Sequence, residues 1–335
     1  MKINVGLLAY GMSGKIFHAP FFDKHAGFNL YAITERTTKK AQKDYPSLIS
    51  YDSIDELLND ESIGLVVVNT PNYLHYEHVE AALKKGKHVL VEKPFTPTVK
   101  QAQELFDLAD KVGKKIFFYQ NRRWDSDFLS IKKVIESGQL GKLNELHIRY
   151  DRYRSAIGAK DFKETAMPAS GLIYDLAPHM LDQVISLFGK PLSYRKVLGK
   201  NRENTQVDDY FFIQLSYPDD LNVTVCSSLL VANPQKAFVL HARQGSYIKD
   251  RVDSQEAQLQ SGMKLGDPAF GIEPAGEEGV LTLMDKDDKR MDSLVPSIRG
   301  SYLPLFDAVY DSIVHDKPYP VTREDILTQL EILES

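Results

Sequence analysis

The sequence predicts an α/β chain, a doubly wound parallel sheet followed by an α+β domain on an antiparallel sheet, and three observations carry that prediction. Through Tyr119, short apolar runs alternate with helical segments over short links, the pattern of a parallel sheet covered on both faces. A glycine-containing turn, Ala9-Tyr10-Gly11-Met12-Ser13-Gly14, follows the first of those runs. From Tyr194 to Met284, short β-type runs succeed one another without intervening helices, which indicates antiparallel pairing. At 335 residues the chain is long for one core, and we divide it into one domain over 1–122 and a second over 123–335 that ends in helices.

In order, Ile3 to Leu8 reads as a buried strand, and the turn after it is a dinucleotide fingerprint with Ala9 in place of the first glycine. The later glycines let the backbone approach a pyrophosphate, and the following helix start offers free N–H groups to it. Phe28 to Ile33 is the second strand. Glu35 beyond it stands where a carboxylate meets the adenosine ribose, while Arg36, Thr37, Lys39 and Lys40 stand where a 2′-phosphate is neutralised. The cofactor is therefore NAD or NADP, with a slight lean to NADP. Helices are predicted over 52–59, 74–85 and 101–112, and strands over 65–68, 88–91 and 116–119. Asn69, Thr70, Pro71 and Asn72, with His75 just beyond, and then Glu92, Lys93 and Pro94 lie at the carboxyl edge of that sheet, where ligands bind in doubly wound folds. An ammonium at Lys93 can stabilise a developing alkoxide, and an X–Pro bond locked cis would fix its direction.

Composition excludes several classes. A net charge of −5 gives no reason to expect nucleic acid or an anionic membrane, and pairs such as Lys39-Lys40 and Arg122-Arg123 read as solvated surface. The one cysteine, Cys226, permits no intramolecular disulfide and no cysteine-based metal site, and no metal is expected. It reads as a packed thiol. With no signal-peptide pattern and no bilayer-length apolar stretch, a cytoplasmic protein is expected.

In the second half, a helix over 128–136 and a strand over 143–150 lead to Asp151-Arg152-Tyr153-Arg154, of which Tyr153 and Arg154 are substrate-binding candidates for a polyol. Asp175 and His179 are one helical turn apart and would share a helix face. Asp182 either orients His179, contacts substrate or caps a neighbouring element. Pro178 is tolerated in a first turn and expensive deeper, which leaves the start of this helix open. Residues 253–278 read as a long loop, and helices are expected over 301–314 and from Arg323 onward.

The chain resembles the glucose-fructose oxidoreductase/inositol dehydrogenase/rhizopine catabolism (Gfo/Idh/MocA) oxidoreductases. The resemblance rests on the fingerprint turn, Phe17-His18-Ala19-Pro20, Asn69-Thr70-Pro71-Asn72, Glu92-Lys93-Pro94, Asn121-Arg122-Arg123-Trp124-Asp125, Asp175 with His179, and Gly245-Ser246-Tyr247-Ile248-Lys249. The branch it is most similar to includes NADP-dependent scyllo-inositol dehydrogenases. The resemblance implies a Rossmann domain, a large open antiparallel sheet through which a dimer or tetramer forms, and a small sugar or polyol substrate. It adds Asn121 and Trp124 to the cofactor-binding residues. It implies that Lys93, Asp175 and His179 contact the reacting hydroxyl, with His179 as acid/base. Two departures stand out: Ala9 for glycine, and Glu35 where a small polar residue is expected in an NADP-dependent relative. Two other readings compete. One is a dinucleotide-binding sensor or co-repressor without turnover, against which the complete Lys93, Asp175 and His179 set argues. The other, a biliverdin-reductase-like enzyme, suits that polar set less well.

Overall fold

In the computed structural model, residues 2–158 and 164–335 are described. The chain forms two compact units. The first comprises Met1–Gln120, Leu259–Asp267 and Tyr302–Leu330; the second comprises Asn121–Gln258, Pro268–Ser301 and Glu331–Ser335.

The first unit is built on six parallel strands: β1 (Ile3–Leu7), β2 (Phe28–Thr34), β3 (Ile49–Tyr51), β4 (Leu65–Val68), β5 (His88–Val91) and β6 (Ile116–Phe118). Their order is β3-β2-β1-β4-β5-β6. The chain winds outward from β1 and then returns to lay β4 on its other side, so the switch point of the sheet falls between β1 and β4. Every residue of β4 is buried, which is why it reads as an unbroken apolar run. Helices α1 (Ala19–Lys24), α2 (Ala41–Asp44), α3 (Ile54–Asn59), α4 (His75–Lys84) and α5 (Val99–Val112) connect the strands. Local chemistry sets their ends: Ser53 accepts from the Glu56 N–H at 3.2 Å, and Thr98 accepts from the Gln101 N–H at 3.2 Å. A late helix, Leu303–His315, completes the core. Its Phe306 stacks on Phe21 with centroids 4.9 Å apart and meets Phe22 edge-on at 4.9 Å, and its Tyr310 meets Phe28 edge-on.

The second unit holds an eight-stranded sheet formed by β7 (Leu143–Arg149), β8 (Ser193–Gly199), β9 (Tyr210–Ser216), β10 (Asn222–Ser228), β11 (Phe238–Ala242), β12 (Gly245–Lys249), β13 (Gly279–Met284) and β14 (Arg290–Val295). The order is β14-β13-β12-β11-β7-β10-β9-β8, antiparallel except for the central pair β7 and β10, which run parallel. Helices α6 (Ser126–Glu136) and α7 (Gly171–Phe188) pack on it, α7 against β9 and β10. Facing residues alternate as expected: Leu146, Ile148 and Tyr150 are buried, as are Phe211, Ile213 and Leu215. Cys226 is buried, and burial raises its thiol above the ordinary value.

Three strands have no counterpart in the sequence-based reading: β3, β8 and β14. All three are sheet edges, where exposure removes the apolar alternation that betrays a strand. Residues 253–278 are not wholly a loop, since Ser254–Gln260 is a short helix. Pro178 lies inside α7 rather than in its first turn. The helix can begin so early because its amino end is fastened from the sheet side. The Leu172 N–H donates to the Asp208 carbonyl at 2.9 Å and the Ile173 N–H to Asp208 Oδ2 at 2.7 Å. Gly171 is obligatory there: its φ is +88°, and a Cβ would sit 2.1 Å from Asp208 Oδ1. Among the described residues, no helix is long and apolar enough to cross a membrane.

Candidate active site

In the first unit the fingerprint turn leaves β1 at the switch point. A Cβ on Gly14 would fall 2.2 Å from the Ala9 carbonyl oxygen, so only glycine permits this close approach of turn and helix. At Gly11, by contrast, a Cβ would meet nothing within 4 Å. The helix that follows opens in π register over Gly14–His18 before α1 continues it. Ala9, the departure from glycine, is gripped by the Asn69 carboxamide. Its N–H donates to Asn69 Oδ1 at 3.0 Å, and Asn69 Nδ2 donates to its carbonyl at 2.9 Å. Met12 is half exposed at the rim. Tyr10 donates to Asp44 at 2.8 Å, and Lys15 pairs with the same carboxylate at 3.0 Å.

Glu92 faces this turn. It accepts from Ser13 Oγ at 2.5 Å and lies 2.8 Å from Nε2 of the fully buried His18. Burial pushes the Glu92 carboxyl up, but His18, Ser13 and Lys93 together outweigh burial and hold it below the ordinary value. This explains the Phe-His-Ala-Pro motif: its histidine braces the Glu-Lys-Pro turn against the fingerprint. The Lys93–Pro94 peptide is cis. His75 is fully buried between two carbonyl oxygens, Pro94 O at 2.7 Å from Nδ1 and Thr70 O at 2.9 Å from Nε2. It ties the Asn69–Asn72 loop to the lysine turn and has no surface to offer a ligand. Thr70 Oγ1 lies 2.9 Å from His78 Nδ1, and Asn72 opens a short 3-10 turn after Pro71.

The loop after β2 divides its charges. Glu35 is buried and accepts from the N–H groups of Lys40 (2.8 Å) and Ala41 (3.1 Å) and from Ser50 Oγ (3.4 Å). Lys39 turns to Asp52 at 2.6 Å. Arg36 and Thr37 stay exposed.

In the second unit, α7 carries Asp175, half-buried, and His179, 8% exposed. Asp175, His179 and Asp182 fall on one face of the helix. Asp182 is committed to a buried bidentate pair, accepting from Arg123 Nε at 2.7 Å and Nη2 at 2.9 Å. Gln183 donates to the Arg122 carbonyl at 3.1 Å and accepts from Tyr150 Oη at 3.0 Å. The Asn-Arg-Arg-Trp-Asp segment is thus a clamp on the helix of the candidate pair. Arg122 and Arg123 are not solvated surface. Arg122 is 8% exposed, pairing with Asp125 (3.2 Å), Glu256 (2.6 Å) and Asp253. Asn121 is buried, and the Trp124 carbonyl accepts from Gln255. Tyr153 is 61% exposed on the odd-numbered side of the extended chain past β7, opposite the buried face of Leu146, Ile148 and Tyr150, and Arg154 beyond it is exposed too.

These signals had unequal visibility. The glycines and the Asp175–His179 spacing are local patterns. The clamp joins residues 59 apart and the Ser13–Glu92 contact residues 79 apart, beyond any periodicity.

Comparison with known proteins agrees with this architecture. Residues 3–120 match the model described as "Oxidoreductase family, NAD-binding Rossmann fold", and residues 132–335 match "Oxidoreductase family, C-terminal alpha/beta domain". The chain is 36% identical to the scyllo-inositol 2-dehydrogenase (NADP(+)) IolW of Bacillus subtilis, over 99% of this chain and 92% of that protein. It is 38% identical to an uncharacterised oxidoreductase of Schizosaccharomyces pombe, over 99% and 96%. The solved structure of the Bacillus subtilis oxidoreductase yvaA superposes with a TM-score of 0.94 at 35% identity, covering 100% of this chain and 94% of that one.

Proposed function

The chain belongs to the Gfo/Idh/MocA oxidoreductase family, and from that premise we propose that this NAD(P)-dependent dehydrogenase interconverts a secondary alcohol of a sugar or inositol with its ketone. The observation that supports this most is the presentation of Asp175 and His179 one turn apart on a helix clamped by Arg123, through Asp182, and by the Arg122 carbonyl, through Gln183. His179 takes the hydroxyl proton in oxidation and returns it in reduction. The Lys93 ammonium donates to the reacting oxygen and stabilises its alkoxide character. Asp175 orients the hydroxyl. A bound nicotinamide dinucleotide supplies the hydride acceptor; the Ala9–Gly14 turn, with its open face at Gly11, suits its pyrophosphate.

NADP is the preferred form. Glu35 spends its carboxylate on its own loop, so the repulsion it would impose on a 2′-phosphate is reduced while Arg36 and Thr37 remain available. The relative IolW is named for NADP(+). The protein works as a homo-oligomer through the sheet face opposite its helices. There Val239, Ile248, Val280 and Leu294 form an apolar row across four neighbouring strands, with Leu294 67% exposed. A buried lone thiol suits the cytoplasm.

The test is a panel of sugars and inositols with each cofactor, followed by absorbance of the reduced nicotinamide. Turnover of a polyol is expected. Silence across the panel with dinucleotide still bound would favour the sensor reading. In parallel, Arg36→Ala should weaken NADP binding about tenfold and NAD binding little, by fluorescence titration; equal effects would remove Arg36 from 2′-phosphate recognition.

A further inference from the structure

Among the described residues of the second unit, the arginines that are not exposed pair with carboxylates, with one exception. Arg122, Arg123, Arg149, Arg202 and Arg251, all wholly or largely shielded from solvent, each hold at least one carboxylate. Arg152 is half-buried as well, yet among the described residues its guanidinium makes no hydrogen bond or ion pair. The chain around it is ordered by backbone alone: the Arg152 N–H donates to Ser228 O at 3.0 Å, and its carbonyl accepts from Val231 N. Arg154, two residues on and exposed, is held in the same way through Leu229 O.

The alternation of β7 decides where Arg152 points. Leu146, Ile148 and Tyr150 form the buried face against the helices, and past the end of the strand the same alternation reaches the half-buried Arg152 and then the exposed Arg154. Tyr150 is level with Gln183 of α7, joined to it at 3.0 Å. The amino end of α7 bonds to Asp208, just before β9, whose first residue Tyr210 pairs with Ser228 at the far end of β10. The helix therefore runs against β7. Two strand residues advance about 6.7 Å and four helical residues about 6 Å, so the step from Tyr150 to Arg152 matches the step from Gln183 back to His179. A further step brings Arg154 toward the level of Asp175. Burial first, then the neighbouring Arg251, Arg154 and Arg122, disfavour the charged Arg152 guanidinium and hold it below its ordinary value, while Asp175 is the carboxylate whose charge favours it.

We propose that Arg152, supported by Arg154, recognises an anionic substituent of the substrate, which is therefore an acidic sugar or cyclitol bearing a carboxylate or a phosphate. A planar guanidinium fork matches either group bidentately. A partly shielded cation with no carboxylate in hydrogen-bonding contact is unfavourable until a ligand provides one. A neutral polyol would leave Arg152 with the charge of Asp175 nearby and no carboxylate in contact. This inference rests on Asp175 and His179 being the reacting pair.

The experiment compares kcat/KM with NADP on matched compounds: glucose against glucuronate, and glucose against glucose 6-phosphate, for the wild type, Arg152→Ala and Arg152→Lys. In one arm the wild type should favour the charged member about tenfold or more. Arg152→Ala should bring that ratio near one, and Arg152→Lys, which keeps charge without the fork, should fall between. The arm that responds identifies the anion. A wild-type ratio at or below one in both arms, or a preference that survives Arg152→Ala, overturns the proposal. If nothing is turned over, the dehydrogenase reading has failed separately, and calorimetric titration of the dinucleotide-loaded protein with glucuronate and glucose 6-phosphate decides the anion site. Binding that Arg152→Ala abolishes, at an unchanged melting temperature, supports it; no binding by the wild type sinks it.

Discussion

The fingerprint turn and helix α7 use polar side chains in opposite ways. Around the turn they face inward: Asn69 grips Ala9, Glu92 holds Ser13 and His18, His75 spans two carbonyls, and Glu35 fixes its own loop. What remains for a ligand is main chain and the open face at Gly11. On α7 the backbone is occupied by the helix, and the side chains of Asp175 and His179 are what it can offer. Their supports, Arg123 on Asp182 and Tyr150 on Gln183, reach α7 from other segments. A main-chain site should therefore be sensitive to one added atom, and a side-chain site to the loss of one group.

The largest expected effect breaks the second half of that comparison. His179→Ala should lower kcat by about a thousandfold while the dinucleotide dissociation constant stays within about twofold. Steady-state rates beside fluorescence titration would show it, and parallel loss of both would mean α7 had come apart. Next, Gly14→Ala tests the first half by placing a methyl 2.2 Å from the Ala9 carbonyl. Overpacking against backbone costs about 1–3 kcal/mol, so dinucleotide binding should weaken about tenfold or more and the melting temperature should fall by several degrees. A variant that binds like the wild type would remove the main-chain cradle from the argument.

The smallest effect concerns the braces. Glu92 is held below its ordinary value, so it stabilises the fold above the unfolded carboxyl range, and that contribution is lost as pH falls through the depressed value. Glu92→Gln should flatten the acid limb of stability against pH by on the order of 1 kcal/mol, read from urea unfolding below about pH 4.5. An unchanged limb would show that the Ser13 and His18 contacts carry no linkage.

Legibility followed the same division. The alternation of Leu65–Val68 and His88–Val91 with helices was readable because strands buried on both faces need continuous apolar runs. The edge strands β3, β8 and β14 carry no such constraint and left no pattern. The glycines and the spacing of Asp175 and His179 were readable because each is a local requirement of backbone or helix geometry. The inward turn of Glu35 was not, because it depends on how its loop folds the Lys40 and Ala41 N–H groups back onto the carboxylate, nor was the burial of Arg122, which depends on Asp253 and Glu256, brought close only by the fold. Solvated surface is a fair expectation for adjacent arginines until three carboxylates arrive from elsewhere.

The aromatic closure of the first unit bears on how the protein is made. Phe21, Phe22 and Phe28 precede the eight-stranded sheet in the chain, yet Phe306 and Tyr310, which cover them, follow it. Domains generally fold as units in the order of synthesis. This one cannot cover that aromatic face until the whole eight-stranded sheet has been synthesised, so its closure is a late event of folding.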